Sequence, residues 1–345
     1  MKMKKANSIL DRKRDHIDIN LNKDVSSLLS NGFERYRLIH CALPELNYSE
    51  VDLSTTLFNI KLGNPLLISS MTGGTEKATR INNRLAKIAQ EFKLAMGVGS
   101  QRIGIEDESV MDSFDVRKIA PDILLFANIG AVQLNYSFSV SQCRKAVDAI
   151  RANALILHLN PLQEVLMTDG NTNFSGLLTK IESVCKKLGK PVVIKEVGWG
   201  ISSEVAKKLI NAGVSAIDVA GAGGTSWAEV ERNRAQDQVK RRIAAGFRDW
   251  GIPTAESLTA ILGRIPDSMI FATGGIKNGV DITKAIALGA ALGGMAGPFL
   301  RAAENSEEEL REFTRVIIEQ IKIAMFSVGA KNLKDLRKQK ITKLP

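Results

Sequence analysis

No run of eighteen apolar residues occurs in this 345-residue chain, so an ordinary membrane-spanning helix is not expected. Nor is a secretory signal: Lys2, Lys4 and Lys5 lead into polar Asn7 and Ser8 rather than an apolar core, which points to the cytoplasm. Cysteine is scarce. Cys41, Cys143 and Cys185 are odd in number and far apart, with no zinc-type spacing, so they read as reduced, ordinary residues. Histidine is equally rare, with only His16, His40 and His158. Aromatic residues make up 5% of the chain, and none interleave with basic clusters as in a nucleic-acid-binding surface. The net charge of +10 does not change that reading. Residues 1–14 carry six Lys/Arg against one Asp, residues 331–345 do the same, and the body between is formally neutral. Two basic tails that attract phosphates fit this distribution better than a groove for a duplex.

The composition that is present, 44% apolar and 24% charged, suits one large α/β barrel or two ordinary domains. Eight short apolar runs end abruptly in small or polar residues. They are 65-PLLISS, 94-LAMGVG, 123-ILLFANIG, 154-ALILHLN, 191-PVVIKEV, 215-SAIDVAG, 269-MIFATGG and 290-AALGGMAG. Most are apolar throughout rather than alternating, as parallel strands buried on both faces require. Segments of helical period separate them. In 82-NNRLAKIAQEF, Leu85, Ile88 and Phe92 share one face, while 204-EVAKKLINAG and 281-DITKAIALG close on Gly213 and Gly289. The alternation predicts an α/β chain folded as a (β/α)8 TIM barrel, and no GxGxxG follows the first run as a dinucleotide-binding sheet would prefer. One domain is expected: an extension over 1–60, the barrel over 61–330 and a basic tail over 331–345. The segment from Gly224 to Ile252, after the sixth run, is too long for an ordinary loop. It reads as surface decoration or as a lid or subunit contact over the site.

Chemistry in such a barrel sits where the strands end. Those ends read 71-MTGG, 99-GSQR, 128-NIG, 158-HLNPLQE, 195-KEVG, 221-GAGGTSW, 273-TGGIKNG and 294-GMAG. Glycine turns after strands seven and eight, backed by a helix N-terminus, form a phosphate site. Gly274, Gly275 and Lys277 belong to the first turn, Ala296 and Gly297 to the second. Lys195 closes an apolar strand, where a charge is costly unless an anion or an electron-rich ring such as a flavin accepts it. Asn128, Thr72 and Thr225 can supply hydrogen bonds to such a ring. At the end of strand four, His158 and Asn160 alternate onto one face, with Gln163 and Glu164 in the turn. Glu164 suits Mg2+, which takes one or two carboxylates together with phosphate oxygens.

Seven of these segments, 12-RKRDHI, 71-MTGG, 99-GSQR, 158-HLNPLQE, 194-IKEVG, 223-GGTSW and 273-TGGIKNG, resemble the type 2 isopentenyl-diphosphate isomerases, an FMN-dependent barrel family, in the family's order and over nearly the whole chain. The resemblance implies that Arg12 and Lys13 hold the substrate diphosphate, while Ser100, Gln101, Arg102, His158 and Asn160 line the substrate pocket. It implies that Gln163 lies beside the reacting carbons, with His158 as the other candidate catalytic residue, and that Glu164 binds Mg2+. It assigns FMN contacts to Met71, Thr72, Gly73, Ser100, Asn128, Lys195, Thr225, Gly274, Gly275, Ile276, Lys277, Ala296 and Gly297. Lys277 departs from the Arg of many relatives, keeping the charge but losing the bidentate fork. The implied reaction is a 1,3-proton shift between isopentenyl and dimethylallyl diphosphate on FMN reduced by NADPH, by a homo-oligomer (tetramer or octamer) that needs neither membrane nor nucleic acid.

Two rival enzymes and a scaffold remain as readings of the same turns. An FMN-dependent 2-hydroxy-acid oxidase or dehydrogenase uses a histidine after strand six or seven, and the three histidines lie elsewhere. An inosinate-type dehydrogenase needs a cysteine in the loop after strand six, where 221-GAGGTSW has none. A non-enzymatic flavin- or phosphate-binding scaffold would not require the His158–Asn160–Gln163–Glu164 cluster or the Arg12–Lys13 pair.

Overall fold

The runs that read as buried strands do become strands, short ones joined by helices. In chain order the strands are β1 (Tyr36–Leu38), β2 (Thr55–Leu57), β3 (Ile60–Leu62), β4 (Leu66–Ile68), β5 (Ala95–Gly97), β6 (Leu124–Gly130), β7 (Ala154–His158), β8 (Val192–Lys195), β9 (Ala216–Asp218), β10 (Ile270–Thr273), β11 (Leu292–Met295) and β12 (Ile341–Lys343). The computed structural model describes residues 2–338 and 340–344, and describes side chains from Asp11 onward. Strands β4 to β11 pair in sequence order, all parallel, and β11 returns to β4 to close an eight-stranded barrel. Each of the eight runs read from the sequence supplies one of these strands.

Alternation within the strands divides the core in two. Leu67, Ala95, Leu124, Phe126, Ala154, Ile156, Val193, Ala216, Phe271 and Leu292 fill the barrel interior. Neighbours such as Leu66, Ile68, Met96, Leu125 and Leu155 face outward against the helices, as the two-residue side-chain period dictates. The β2–β3 hairpin seals the N-terminal end with Leu57 and Leu62. Phe58 there meets Phe126 edge-on at 6.4 Å, and Phe126 meets Phe271 at 6.0 Å. With that end plugged, only the C-terminal end is left for a ligand.

Register matters more than strand count for the chemistry. Gly130 pairs with His158, His158 with Lys195, and Lys195 with Asp218 across β6 to β9. Three polar side chains from three strands therefore lie in one row at the barrel's C-terminal rim.

Both basic termini carry regular structure. The chain opens with a helix, Lys2–Asn22, and the C-terminal segment forms a helix, Leu333–Leu336, followed by β12, which pairs antiparallel with β1. Backbone pairing and burial of Leu333 and Leu336 hold this segment against the extension despite its lysines. The long segment after β9 folds into two helices, Trp227–Arg234 and Gln238–Ala245, and the next helix starts at Thr254 directly after Pro253. Among the described residues, no helix is long and apolar enough to cross a membrane.

Phe126→Ala removes the ring that joins the hairpin plug to the barrel interior and should cost about 3–5 kcal/mol of stability. Urea unfolding of the flavin-free protein measures it. A loss under about 1 kcal/mol would mean that the plug is not packed against the interior.

Candidate functional site

The C-terminal strand ends surround a cavity of about 640 Å3, within the ordinary range of small-molecule sites. The Lys2–Asn22 helix roofs it. Arg12, Lys13, His16, Ile17 and Asn20 recur at helical spacing and line the cavity with Lys23 just beyond, so one face of this helix supplies one wall.

The turn after β10 is built for close approach to its neighbours. Gly274 and Gly275 have φ of 103° and 68°, a region that disfavours other residues. A Cβ on Gly274 would lie 2.1 Å from the Gly221 carbonyl oxygen, and one on Gly275 would lie 2.4 Å from the carbonyl carbon of Gly223. Asn31, from the N-terminal extension, donates to the Gly275 carbonyl at 2.6 Å and to Asp281 at 3.0 Å, fixing the turn. Ile276 and Lys277 complete it. Ala296 and Gly297 face it from the start of the helix Gly297–Asn305, and Arg301 of that helix also lines the cavity.

The floor carries buried charge. Lys195 lines the cavity and donates to the Glu196 carbonyl at 2.7 Å. The Glu196 carboxylate turns away and accepts the N–H groups of Val197, Gly198 and Trp199 at 2.6–2.7 Å. Burial pushes it up to about 7 against those three donors. Asp218, fully buried, accepts from Thr273 at 2.5 Å and from the Ala220 N–H at 3.2 Å. Its second oxygen has no partner, and burial raises its pKa while Lys195 opposes the rise. His158 is held neutral: burial, then Lys195 and Lys13, push it down to about 3. Its Nδ1–H donates to Asn128 Oδ1 at 2.8 Å, which leaves Nε2 as an acceptor.

A polar cluster stands on the far side. Asn160 donates to Gln163 at 3.1 Å and to Glu164 at 3.0 Å, while its own Oδ1 is buried without a partner. Glu164 also accepts the Asn171 N–H. Gln163 donates to Glu231 at 3.3 Å. Glu231 also accepts from His16 at 2.9 Å and from Arg234 at 2.7 Å. Although burial would raise its pKa, those two partners hold Glu231 below the ordinary carboxylate range.

Arg12, Lys13 and Arg102 gather beside this cluster. Arg102 is paired with Glu106 at 2.9 Å, whereas burial and then Arg102 bear against the charge of Arg12. Lys13 donates to the carbonyls of Gly73 and Ser100 at 2.8 and 2.9 Å and sits 4.8 Å from the Phe114 ring centre. Burial and Arg12 push it down to about 7.

Most residues singled out in the sequence meet in this cavity: Arg12, Lys13, Met71, Thr72, Ser100, Arg102, Asn128, His158, Asn160, Gln163, Glu164, Lys195, Thr225, the 274–277 turn, Ala296 and Gly297. Two stand back from it. Gln101 is fully buried, donating to the Ala146 carbonyl at 2.9 Å and accepting the Asn128 N–H at 3.0 Å. It braces the wall rather than lining it. Gly73 lies behind the wall, where a Cβ would strike the Phe114 ring at 1.9 Å; its carbonyl receives Lys13. Sequence reading passed over His16, Lys23, Glu231 and Arg301. The segment 228-AEVERNR did carry a signal, Glu229–Arg232 and Glu231–Arg234 pairs one turn apart.

The model of the family described as FMN-dependent dehydrogenase matches residues 141–343. Two mandelate oxidase structures share the fold. One, a mutant with a monooxide FMN adduct, gives a TM-score of 0.68 at 18% identity over 96% of this chain and 99% of its own. The other, with a brominated hydroxy-methylphenylacetate, gives 0.69 at 19% over 97% and 99%. The chain belongs to this FMN-dependent barrel family. An isopentenyl-diphosphate delta-isomerase from Nostoc sp. is 54% identical over 327 residues, 94% of this chain and 93% of the relative. One from Rickettsia africae is 51% identical over 339 residues, 98% and 99%. Within the family, the chain is a member of the type 2 isopentenyl-diphosphate delta-isomerases.

Lys13 gives the site a testable pH signature. Its proton is disfavoured by burial and Arg12, and a bound polyanion would favour it. The Lys13 contribution to binding should therefore be pH-independent below about 7 and involve proton uptake above it, weakening by up to about tenfold per pH unit. Calorimetry of inorganic pyrophosphate in buffers of different ionisation enthalpy measures this uptake. Pyrophosphate's own ionisation is common to both proteins, so wild type should take up more protons than Lys13→Met near pH 8, and equal uptake by the two would contradict the assignment.

Proposed function

We propose that this chain interconverts isopentenyl and dimethylallyl diphosphate, with FMN in the barrel mouth, Mg2+ at Glu164 and NADPH as the source of reducing equivalents. The observation that carries the reading is the meeting of Arg12 and Lys13 with Asn160, Gln163 and Glu164 in one cavity. The cations suit a diphosphate, and no oxidase chemistry would need the amide cluster facing them.

The residues present fit both groups. The Gly274–Gly275 turn and the N-terminus of the Gly297–Asn305 helix offer backbone N–H groups to a phosphate. Ser70, whose hydroxyl is buried without a partner, lies in the same cavity with Thr72, Asn128 and Lys195 and can bond a flavin ring. The Glu164 carboxylate and the orphaned Asn160 Oδ1 are hard oxygen donors on neighbouring turns, and a metal bridging to diphosphate needs few others. Among the described residues there is no group of three His, Cys, Asp or Glu, so substrate oxygens and water would supply the remaining ligands.

The reaction moves a proton and changes no oxidation state. One proton joins the terminal methylene carbon, another leaves the carbon two bonds away, and the double bond shifts between them. When bound and reduced, FMN supplies an electron-rich group able to give and take a proton. The chain does the rest. Arg12 and Lys13 would fix the diphosphate and so set where the alkene lies, and Glu164 is the residue that would hold a metal beside it. Lys195 supports negative charge at the ring. His158, neutral with a free Nε2, accepts a hydrogen bond rather than delivering a proton. Gln163 is aligned by Asn160 and by Glu231, whose charge polarises its amide for a relay role.

Purified protein should carry a flavin spectrum and isomerise isopentenyl diphosphate anaerobically with FMN, Mg2+ and NADPH. Turnover of lactate-like acids without isomerisation would overturn the reading in favour of an oxidase. Gln163→Asn should keep reduced FMN bound yet lower kcat by roughly a hundredfold; full turnover would remove Gln163 from the relay. A homo-oligomer is also part of this proposal and is read out by light scattering.

A further inference from the structure

The roofing helix reaches both ends of the cavity. Arg12 stands at the end held by Gln163 and Glu164, and Lys23 lies eleven residues further along, at the other end. Lys23 lies just past the helix but still donates back to the Ile19 carbonyl at 2.9 Å. The chain that follows is stitched to the loop after β9. The Ser226 N–H donates to the Val25 carbonyl at 2.7 Å, the Ser27 N–H to the Gly224 carbonyl at 2.8 Å, and Thr225 to Asn20 at 3.3 Å. That loop lies directly on the glycine turn, since a Cβ on Gly224 would stand 2.7 Å from the Gly275 nitrogen. Across the mouth, Lys77 bridges Asp18 of the roofing helix, at 3.1 Å, to Glu304 of the helix Gly297–Asn305, at 3.3 Å. Lys277 of the turn, Lys23 from the segment stitched to its neighbouring loop and Arg301 beside Gly297 thus line the same cavity, all three exposed. Among the described residues, none of the three takes part in an ion pair, although Asp24, Lys77 and Arg248 around them do.

Three cations around a glycine turn and a helix N-terminus match a phosphate dianion better than a neutral ring. We propose that Lys23 and Arg301 complete the cage for the FMN phosphate, and that through Lys23 flavin loading closes the helix that carries Arg12 and Lys13. This rests on the flavin reading above. Because one rigid element touches both anions, FMN and the substrate diphosphate bind with positive coupling, each holding the helix in the place the other needs.

The test compares FMN with riboflavin, which shares the ring and lacks the phosphate. Hydrogen exchange over residues 11–22 should slow with FMN and stay fast with riboflavin. Lys23→Ala, an exposed position where folding is not at stake, should weaken FMN by about three- to tenfold with riboflavin unchanged. It should also abolish the protection, and Lys23→Arg should restore it. Arg301→Ala should lower the FMN-to-riboflavin affinity ratio as well. Equal protection by both flavins, or a ratio unchanged in both alanine variants, would overturn the proposal while leaving the flavin site standing. A protein that binds neither flavin would refute the flavin reading itself, and this inference with it.

Discussion

His16 and Glu231 meet at 2.9 Å although 215 residues separate them. Burial keeps the imidazole neutral, so its Nε2–H donates to a carboxylate that Arg234 also holds ionised. Trp227 packs edge-on against the same ring at 5.0 Å. This contact joins the roofing helix to the helix Trp227–Arg234 over the barrel mouth. It works with the Lys13 bonds to the Gly73 and Ser100 carbonyls to set Arg12 and Lys13 against the strand ends, and it holds in place the carboxylate that orients the Gln163 amide. A buried neutral donor on a buried carboxylate is costly to break from one side, because the remaining group is then left unpaired.

The same logic governs the floor. Closed barrels bury their strand ends, and burying Lys195, Glu196 and Asp218 together is tolerable only if each charge is answered. Glu196 is answered by three backbone donors and Lys195 by a carbonyl. Asp218 keeps one oxygen without a partner one strand away from Lys195. The floor therefore holds Lys195 facing the cavity with the buried Asp218 carboxyl behind it, burial disfavouring the charge of that carboxyl and Lys195 favouring it.

The barrel was legible in the sequence because parallel strands buried on both faces leave unbroken apolar runs, and the strand ends followed because each run stops at a polar or small residue. Part of the cavity-lining set was legible for a related reason, Lys195 and His158 being conspicuous against apolar neighbours, whereas Arg12, Lys13, Ser100 and Arg102 came from the family resemblance alone. What could not be read came from packing at long range. Gln101 in 99-GSQR was expected to line the substrate pocket, yet its amide spans between the Ala146 carbonyl and the Asn128 N–H. The lysines at both ends read as tails that attract phosphates, with nothing in the sequence to say whether they are ordered; a helix over Lys2–Asn22 and the β1–β12 pairing come from the fold. Glu231 lay in a segment that admitted decoration or a lid, and only the fold shows that its carboxylate turns inward.

Fold and chemistry separate at His158. The oxidases share this barrel at 18–19% identity, and that likeness speaks to the scaffold alone. A base that removes a proton from an ordinary carbon acid must titrate near neutral pH. Here the only cavity histidine on a barrel strand is pushed down to about 3, with one nitrogen bonded to Asn128. The other cavity histidine, His16, is engaged with Glu231. Neither is poised as a base, and the cluster facing the cations is built from amides instead. A site that must move a proton with weak acids and bases of its own has to obtain the strong one from what it binds. On the proposed reading, that requirement would make the bound flavin and the Asn160–Gln163 amides parts of one device, in a barrel whose architecture oxidases share.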